Sequence, residues 1–582
     1  MQTKWDLSIL YKSVTDPAIE RDQKKTDRSF AAFANKYKGN KEHLKRPAAL
    51  AAALADYEKL IELPGTKALY YVFFRKDLDV NDKGAEALGA RLEERSTKRG
   101  NQILFFTLEL GRLPKEKQEQ FLGAKVLAPY RYWLEQLFEN AKYDLSEAEE
   151  KILSLKSDVS FGRWMQATDN ILNKKTVIFA GKTLPLPEAQ GMYPTMPTAK
   201  RRALYTKVRE AYAEVADIAE SELNAIYTNK KIDDELRGMK HPYEATIRGY
   251  QNDVKSVMAL VDAVAESAKI SHRFYQVKKK LLGLDALTYA DRSAKVGSLK
   301  TKMPFEKTVP IVREVFGNLD PLYADMFDRL IANGQVDVHP KAGKTGGAYC
   351  ASEATVPTFV LLNHTPTFES LKTLAHEMGH AMHAERSRTQ RPLYRGHPIS
   401  TAETASTFFE GAALKHVIAT LPPEERMIAL HDVIQDDIAT VFRQIACFRF
   451  EQALHEAIRS KGYVPKEEIA DIMNDHMKAY LGPAFTFARE DGYFFVTWSH
   501  IRRFFYVYSY AYGQLISKAL HEKLAEDSRF IEKVDGFLAT GESKSPEAIF
   551  AECGLNTKKS DIFRAGLASI ERDVAELERL TK

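Results

Sequence analysis

Apolar residues recur at intervals of three and four along most of this chain, and that period predicts amphipathic α-helices. Proline and glycine mark several helix ends, as in the segment from Pro47 to Leu63, which Pro64 and Gly65 stop. Ser146 and Glu149 have the Ser-x-x-Glu spacing of a capping box, which predicts another helix start. The overall pattern therefore predicts a mainly α-helical fold.

Two short stretches depart from the helical period. The β-branched and apolar residues around Ala180-Gly181-Lys182 predict a small hairpin over 176–186. The run from Thr355 to Asn363 is also β-branched and apolar, and Pro357 within it favours an edge strand. An edge strand can pair with an extended peptide through main-chain hydrogen bonds. The sequence thus predicts a small β element in an otherwise helical protein.

A stretch rich in proline and glycine, Pro185 to Pro197, separates two helical regions. With 582 residues, the chain is too long for one small core. We expect an N-terminal helical lobe over 1–190, carrying the hairpin, and a second, larger domain over 191–582.

Composition and charge exclude several classes of protein. The 84 basic and 79 acidic residues are interleaved, and nothing resembles a nucleic-acid-binding module. The first residues form no apolar signal segment, and no run of about 18 apolar residues predicts a membrane span. Three widely spaced cysteines, Cys350, Cys447 and Cys553, argue against a disulfide framework. These features predict a cytoplasmic protein without a nucleic-acid or membrane partner.

The pentapeptide His376-Glu377-Met378-Gly379-His380 changes this picture most. It lies in a segment, Pro366 to about Arg386, whose period predicts a helix. Residues four apart share one helix face, so His376 and His380 can present two imidazole nitrogens to one zinc ion. Glu377 lies beside them, where its carboxylate can accept a proton from the attacking water. The pattern predicts a zinc-dependent peptidase.

A catalytic zinc of this type needs a third protein ligand. His383, Glu385, Glu403 and Glu410 are the downstream candidates, and the spacing after His380 excludes the metzincin pattern. Glu385 points away from the histidine face. A helix starting near Ser400 could bring Glu403 to the metal. Glu410, seven residues further on, is better placed to orient a ligand imidazole.

A segment near the C-terminal end is rich in tyrosine. Tyr506, Tyr508, Tyr510 and Tyr512 alternate, which is typical of a strand, but the run from Phe504 to Leu520 also suits a buried helix. On a helix, Tyr506 and Tyr510 share a face. A phenol hydroxyl is a neutral donor that can stabilise a developing oxyanion, and His500 lies nearby in sequence. The alternative is an aromatic core stripe and a core histidine.

The pattern HExGHxxH at 376–383, followed by Ala402 to Glu410, resembles the M3 metallopeptidases, and within them the oligoendopeptidase F branch. Trp5 to Ser8, Gly347 to Tyr349 and Phe505 to Ala511 resemble other elements of that branch. The chain departs from the family pattern at Arg503-Phe504 and at Tyr512.

The resemblance implies a large helical zincin-type metallopeptidase with a deep internal channel and a small β element beside the zinc helix. It implies that one Zn²⁺ per chain is bound by His376, His380 and Glu403, and that Glu377 is the general base. His500, Tyr506 and Tyr510 correspond to the family's late histidine and tyrosines. The expected substrates are short oligopeptides, cut at internal bonds.

Three alternatives remain open. An exopeptidase of the dipeptidyl carboxypeptidase type would use the same zinc chemistry and add a cationic group for the free C-terminal carboxylate. A catalytically dead peptide-binding protein would have no need of Glu377. A purely structural zinc site would normally have four protein ligands, often cysteines, and no cysteine lies near this motif.

Overall fold

The computed structural model describes residues 2–582, and helices account for 73% of the chain. The chain forms two compact units, each assembled from three separate segments. The first unit comprises Met1–Tyr143, Thr301–Val417 and Lys523–Gly554, and the second comprises Asp144–Lys300, Ile418–Glu522 and Leu555–Lys582. The predicted boundary at residue 190 divides the chain into two continuous domains, whereas each of these units combines separate segments. That boundary stays a prediction.

The first unit is built mainly from helices around two apolar clusters. Its α-helices are Pro17–Tyr37, Pro47–Ile61, Gly65–Leu78, Lys83–Gly111, Lys115–Gly123, Arg131–Asn140, Phe305–Leu319, Pro321–Ala332, Phe368–Ser387, Ile399–Thr420, Ile531–Thr540 and Pro546–Glu552. One apolar cluster lies among the N-terminal helices. In the other, N-terminal helices pack against the three-stranded sheet described below.

A three-stranded sheet lies in the first unit, with β1 (Val336–Asp337), β2 (Tyr349–Glu353) and β3 (Val356–Leu361). The strand order is β1-β3-β2, with β1 parallel and β2 antiparallel to β3. The predicted edge strand is therefore wrong: β3 is central, and β2 is an edge. Pro357 is tolerated because the register shifts between Ala351 and Glu353, which leaves an extra residue on β3 where no ladder hydrogen bond is needed.

The N-terminal segment is attached to this sheet through Trp5. Its indole Nε1 donates to the carbonyl oxygens of Gln335, at 3.0 Å, and Val360, at 2.9 Å. Its backbone N–H donates to Asp337 at 3.2 Å, and its ring packs on Phe359 with centroids 5.6 Å apart. Residues more than 300 positions apart in sequence thus form one core.

The second unit is organised along one forty-residue helix, Thr198–Arg237. Its other α-helices are Glu147–Ser157, Arg163–Lys174, Leu186–Gly191, Glu244–Gly249, Val254–Glu266, Ala268–Leu281, Pro423–Thr440, Phe442–Lys461, Lys466–Leu481, Tyr508–Glu526 and Ser560–Leu580. Residues buried along the long helix recur at intervals of three and four, as the sequence predicts: Leu204, Val208, Ala211, Val215, Ala219, Leu223 and Ile226.

Short strands and buried ion pairs complete the second unit. The predicted hairpin is confirmed as antiparallel strands Thr176–Phe179 and Lys182–Pro185, and Leu287–Thr288 pairs in parallel with Phe485–Thr486. The guanidinium of Arg502 binds Glu222 in a bidentate pair, at 2.8 and 2.9 Å, with both side chains buried. The capping box of Ser146 and Glu149 is confirmed.

Across residues 2–582, none of the helices combines the length and the apolar character that a membrane crossing needs.

Candidate metal centre

The HExxH segment lies in the middle of the helix Phe368–Ser387, which confirms the predicted helix to within two residues at each end. Thr367 caps this helix, its hydroxyl accepting from the backbone N–H of Ser370. His376 and His380 follow each other on one face, with ring centroids 4.9 Å apart. The local spacing alone therefore sets the two imidazoles side by side.

A second helix, Ile399–Thr420, brings Glu403 to the histidines. The two helices approach closely at Gly379, where a Cβ atom added to the glycine would lie 2.9 Å from the Cα of Ser406 and 3.0 Å from the Cβ of Phe409. Only glycine permits this approach, because the side chain of any other residue would push against the backbone of the second helix. Gly379 thus fixes the distance at which Glu403 faces the HExxH helix.

The side chains of His376, His380 and Glu403 form a group that fits one metal ion. Their potential ligand atoms all lie within 4.8 Å of one another, and His376 Nε2 is 3.9 Å from a carboxylate oxygen of Glu403. Ligand atoms around a tetrahedral zinc lie roughly 3.3 Å apart, given bonds of about 2.0–2.1 Å. Two imidazoles with a carboxylate are a donor set that zinc accepts, and small side-chain rotations would bring the three ligand atoms to that spacing.

Glu410 orients the first histidine. Its carboxylate lies 2.7 Å from Nδ1 of His376, which leaves Nε2 facing Glu403 and the metal position. Burial on its own would lower the pKa of His376, but the hydrogen bond and the charge of Glu410 outweigh it and raise the pKa to about 9. This contact is the one predicted for Glu410 from its position two turns after Glu403.

Glu377 is buried beside the group, with 7% of its surface exposed. Burial raises the pKa of its carboxyl to about 7, against the opposing charge of His376. Its Oε2 atom is buried and has no hydrogen-bond partner among the described residues. A buried carboxylate oxygen without a donor is costly unless it serves a ligand or a reacting water.

A cavity of about 600 Å³ opens onto these residues. Its wall includes strand β2 through Tyr349 to Ser352, the metal group and Glu377, and two aromatic side chains of the helix Gly65–Leu78, Tyr70 and Phe73. The edge strand of the sheet thus lies along the cavity, although it is not the strand that the sequence pattern indicates.

The remaining ligand candidates have other contacts. His383 stacks on His397, with ring centroids 4.2 Å apart, and packs on Phe537. Glu385 forms an ion pair with Arg388 at 2.9 Å, on the side of the helix away from the histidines. His397 also lines the cavity, and burial lowers its pKa to about 4. Sequence reasoning missed His397, since it lies in a connection whose residues carry no periodic signal.

His500, Tyr506 and Tyr510 lie together in the second unit. The ring of His500 stacks on Tyr506 at 5.4 Å between centroids and lies 6.2 Å from Tyr510. The two phenol oxygens are 3.5 Å apart. Burial, together with the charges of Arg443 and Arg503, lowers the pKa of His500 to about 4, so the imidazole is neutral at pH 7.

The helix of this region begins at Tyr508, four residues later than the run from Phe504 suggests. Tyr508 and Tyr512 are fully buried, whereas Tyr506 and Tyr510 keep part of their surface exposed. Tyr508, Tyr510 and Tyr512 lie on this helix, as the helical alternative predicts, whereas Tyr506 lies in the turn before it. Tyr506 and Tyr510 are the two tyrosines that keep part of their surface exposed.

Comparison with known proteins places this geometry in a family. The family model described as Peptidase family M3 matches residues 196–569, and the model described as Oligopeptidase F matches residues 109–174. The chain is 25% identical to an oligoendopeptidase F homolog of Lactococcus lactis subsp. lactis, over 99% of this chain and 97% of the relative. It is 23% identical to the oligopeptidase PepF of Bacillus subtilis, over 91% and 81% of the two chains.

Solved structures share the fold. The crystal structure of a Chlamydophila abortus protein superposes with a TM-score of 0.86 at 22% identity, covering 100% of this chain and 98% of that one. The oligoendopeptidase-F of Enterococcus faecium superposes with a TM-score of 0.70 at 19% identity, covering 96% and 98%.

These matches confirm the predicted mainly helical fold, the resemblance to the oligoendopeptidase F branch and the prediction of a metalloendopeptidase. The M3 model covers well over half of the residues, including every element that carries the metal group. The chain therefore belongs to peptidase family M3.

Proposed function

We propose that this protein is a zinc-dependent endopeptidase that cuts internal bonds of short oligopeptides, with His376, His380 and Glu403 as the zinc ligands. The observation that carries the proposal is the convergence of these three side chains beside Glu377, whose buried carboxylate oxygen has no protein partner in the described part of the chain. A structural zinc site would not need such a carboxylate.

Bound Zn²⁺ supplies a Lewis acid that lowers the pKa of water and polarises a carbonyl group. Glu377 accepts the proton of the attacking water and later transfers it to the leaving amine. Burial raises the pKa of Glu377, which favours uptake of the proton by its carboxylate. Glu410 holds His376 in the orientation that directs Nε2 inward.

His500, Tyr506 and Tyr510 have the chemistry of oxyanion and substrate-backbone donors. Burial raises the pKa of Tyr506, so its hydroxyl keeps its proton at any physiological pH. His500 is neutral for the reason given above and can donate one N–H. Neutral, preorganised donors stabilise the negative charge that develops on the carbonyl oxygen during attack.

Strand β2 is the candidate for holding the substrate backbone. It is an edge of the sheet and forms part of the cavity wall beside Glu377. Pairing between an edge strand and an extended peptide gives affinity through main-chain atoms, which suits an enzyme that accepts many sequences.

The three cysteines are unpaired, which supports a reducing compartment, and we place the enzyme in the cytoplasm on this ground.

The test is mass spectrometry on a short peptide blocked at both ends, incubated with the zinc-loaded protein with and without a chelator. Internal cuts that disappear with the chelator are the expected result. Cutting that requires a free C-terminus would point to the exopeptidase alternative, and stable binding without any cut would point to a peptide-binding protein.

A further inference from the structure

Phe73 is a large apolar side chain on the wall of the cavity that opens onto the metal group, and it keeps 46% of its surface exposed. Tyr70, one turn earlier on the same helix, lines the same cavity. The neighbouring Phe74 is fully buried in the core of this unit. Because water disfavours exposed apolar surface, two aromatic side chains that line a cavity together are typical of a site for an apolar group.

The ring of Phe73 is held in place by other aromatic rings. Its centroid lies 5.5 Å from that of Tyr349, 5.7 Å from that of Phe74 and 6.3 Å from that of Tyr70. The hydroxyl of Tyr349 donates to Asp77, near the end of the helix Gly65–Leu78, at 2.5 Å. A side chain that is already ordered loses little entropy when a ligand binds to it, so the exposed part of Phe73 is preorganised for binding.

Strand β2 separates this aromatic wall from the HExxH helix. Tyr349 and Ala351 of the strand pack against the apolar cluster to which Phe74 belongs. Cys350, between them, points to the other face of the sheet, where burial and the charge of Glu377 raise the pKa of its thiol. The two faces of the sheet at β2 therefore differ: one is aromatic, and the other adjoins the proposed base.

A peptide paired with the free edge of β2 would continue the sheet. Its side chains would alternate between the two faces, as they do along any strand. Directly opposite residues of neighbouring strands lie about 5 Å apart. A peptide side chain opposite Tyr349 on the aromatic face would therefore come within reach of the ring of Phe73, which packs on Tyr349.

The charged groups of the cavity wall lie on the other face. Glu377 and Glu403, the two carboxylates among the lining residues, belong to the HExxH helix and to the helix that follows it. The lining side chains on the side of Phe73 are uncharged: Tyr70, Ala348, Tyr349 and Ala351. This wall thus suits an apolar side chain and offers no counter-ion to a charged one.

The cavity limits how far the aromatic wall lies from the bond that is cut. Its volume of about 600 Å³ corresponds to a width of roughly 10 Å, the length of about three extended residues. Phe73 and Glu377 line this one cavity. The peptide side chain that meets Phe73 therefore belongs to a residue within about three positions of the cut bond.

We propose that Phe73 and Tyr70 form a subsite that binds one large apolar side chain of the peptide substrate, on the face of β2 away from the HExxH helix. The inference rests on the proposed peptidase function and deepens it, because it names residues that select which bond is cut. The enzyme should cut at a fixed number of residues from a large apolar side chain.

The test uses alanine-rich peptides of equal length, blocked at both ends, in which a single phenylalanine is moved one position at a time. Mass spectrometry identifies the cut bond, and competition between peptides gives the ratio of their kcat/KM values. We expect the cut to follow the phenylalanine at a fixed offset. The kcat/KM should be about tenfold or more above that of the peptide without phenylalanine, the gain expected from burying such a side chain.

Phe73→Ala should lower this ratio by about tenfold, and Phe73→Leu, which keeps an apolar side chain, should lower it less. Leu104→Ala is the matched control. Leu104 is 48% exposed on another helix of the same unit, Lys83–Gly111, and is not among the residues that line the cavity. This control should keep the wild-type ratio.

Phe73→Glu distinguishes a binding role from a structural one. A carboxylate at this position should attract a basic side chain, so the cut should follow a lysine placed in the same peptides rather than the phenylalanine. A variant that is only less stable would cut all the peptides more slowly and would gain no preference for lysine.

Cuts that ignore the position of the phenylalanine would overturn the proposal, as would an unchanged ratio in Phe73→Ala or an equal loss in Leu104→Ala. Cutting of the alanine peptide without phenylalanine, if a chelator abolishes it, reports the peptidase activity alone. Absence of that cutting would contradict the proposed function itself, so the two failures are distinguishable.

Discussion

In the first unit, two regular helices present His376, His380 and Glu403 without any irregular backbone. In the second unit, His500, Tyr506 and Tyr510 depend on a turn at Phe504 and Phe505, whose φ angles of 46° and 64° are unfavourable for residues other than glycine. One group of proposed site residues is thus positioned by helix spacing, and the other by a strained turn that its surroundings must hold in place.

The surroundings of that turn are identifiable. Glu451 is fully buried, and its Oε2 atom accepts from the backbone N–H of Phe505 at 2.7 Å. Thr246 donates its hydroxyl hydrogen to the carbonyl oxygen of Phe504 at 2.8 Å. Positions set by regular spacing tolerate change in the surroundings, whereas positions set by a turn of this kind depend on a few distant residues.

The largest effect is expected on the HExxH helix, where the helix spacing alone positions the proposed catalytic side chains. Glu377→Gln should lower kcat by about 10³-fold or more, because it removes the proton acceptor while leaving the ligands in place. Steady-state kinetics measures the rate, and elemental analysis should show one zinc per chain in both proteins. Near-normal turnover in this variant would exclude Glu377 as the base.

Glu410→Gln should weaken zinc binding by about 10- to 100-fold, since a neutral amide orients and polarises His376 less than a carboxylate does. Competition with a chromophoric chelator measures the affinity. Glu385→Gln is the matched control, because Glu385 points to Arg388 on the other side of the same helix, and it should bind zinc normally.

Gly379→Ala should destabilise the first unit by about 1–3 kcal/mol, because the new methyl group meets the backbone of Ser406. Chemical denaturation followed by circular dichroism measures the change. Gly536→Ala is the control: this glycine lies in the helix Ile531–Thr540 with open space around it, and the same substitution should leave stability equal or slightly raised. An equal loss in both variants would show that helix contact at Gly379 is unimportant.

Substitutions of Glu451 test what holds the strained turn at Phe504 and Phe505 in place. Glu451→Leu should lose about 1–3 kcal/mol of stability by leaving the N–H of Phe505 without an acceptor, whereas Glu451→Gln keeps an acceptor oxygen and should lose less than about 1 kcal/mol. If the turn positions Tyr506, the leucine variant should also lower kcat more than the glutamine variant. Equal kinetics in the two variants would separate the turn from catalysis.

The wild-type chain and Glu451→Gln should also differ in how their free energy of unfolding depends on pH. Burial holds the pKa of Glu451 well above its usual range, so the folded protein keeps a proton that the unfolded chain releases above pH ~4.3. The contribution of this group to stability is complete below that pH and is lost as the pH rises toward the folded pKa. Glu451→Gln has no such proton, so its free energy of unfolding should fall less between pH 5 and pH 8 than that of the wild-type chain.

The two regions also differ in how far the sequence predicts them. The HExxH helix, its partner Glu403 and the contact of Glu410 follow from spacing within single helices together with a family resemblance. The close approach at Gly379 does not, because it depends on which faces of two helices meet. The bulge that makes Pro357 tolerable in a central strand is likewise set by pairing with β2, which the composition of one strand does not reveal.

The late tyrosine segment was predictable only in part. Four residues between a possible helix start at Phe504 and the actual one at Tyr508 form the turn, and its stability comes from Glu451 and Thr246, which are distant in sequence. Long-range packing of this kind leaves no periodic signal in a single sequence.

The attachment of Trp5 to Gln335 and Val360 has a consequence for synthesis of the protein. A ribosome adds about 5–20 residues per second, so the N-terminal segment emerges tens of seconds before the strand that receives it. The first unit cannot complete its core until its last segment, Lys523–Gly554, has also been made. Throughout that interval the early helices expose apolar faces, and the nascent chain should depend on chaperones that bind such surfaces for longer than a protein whose domains are continuous in sequence.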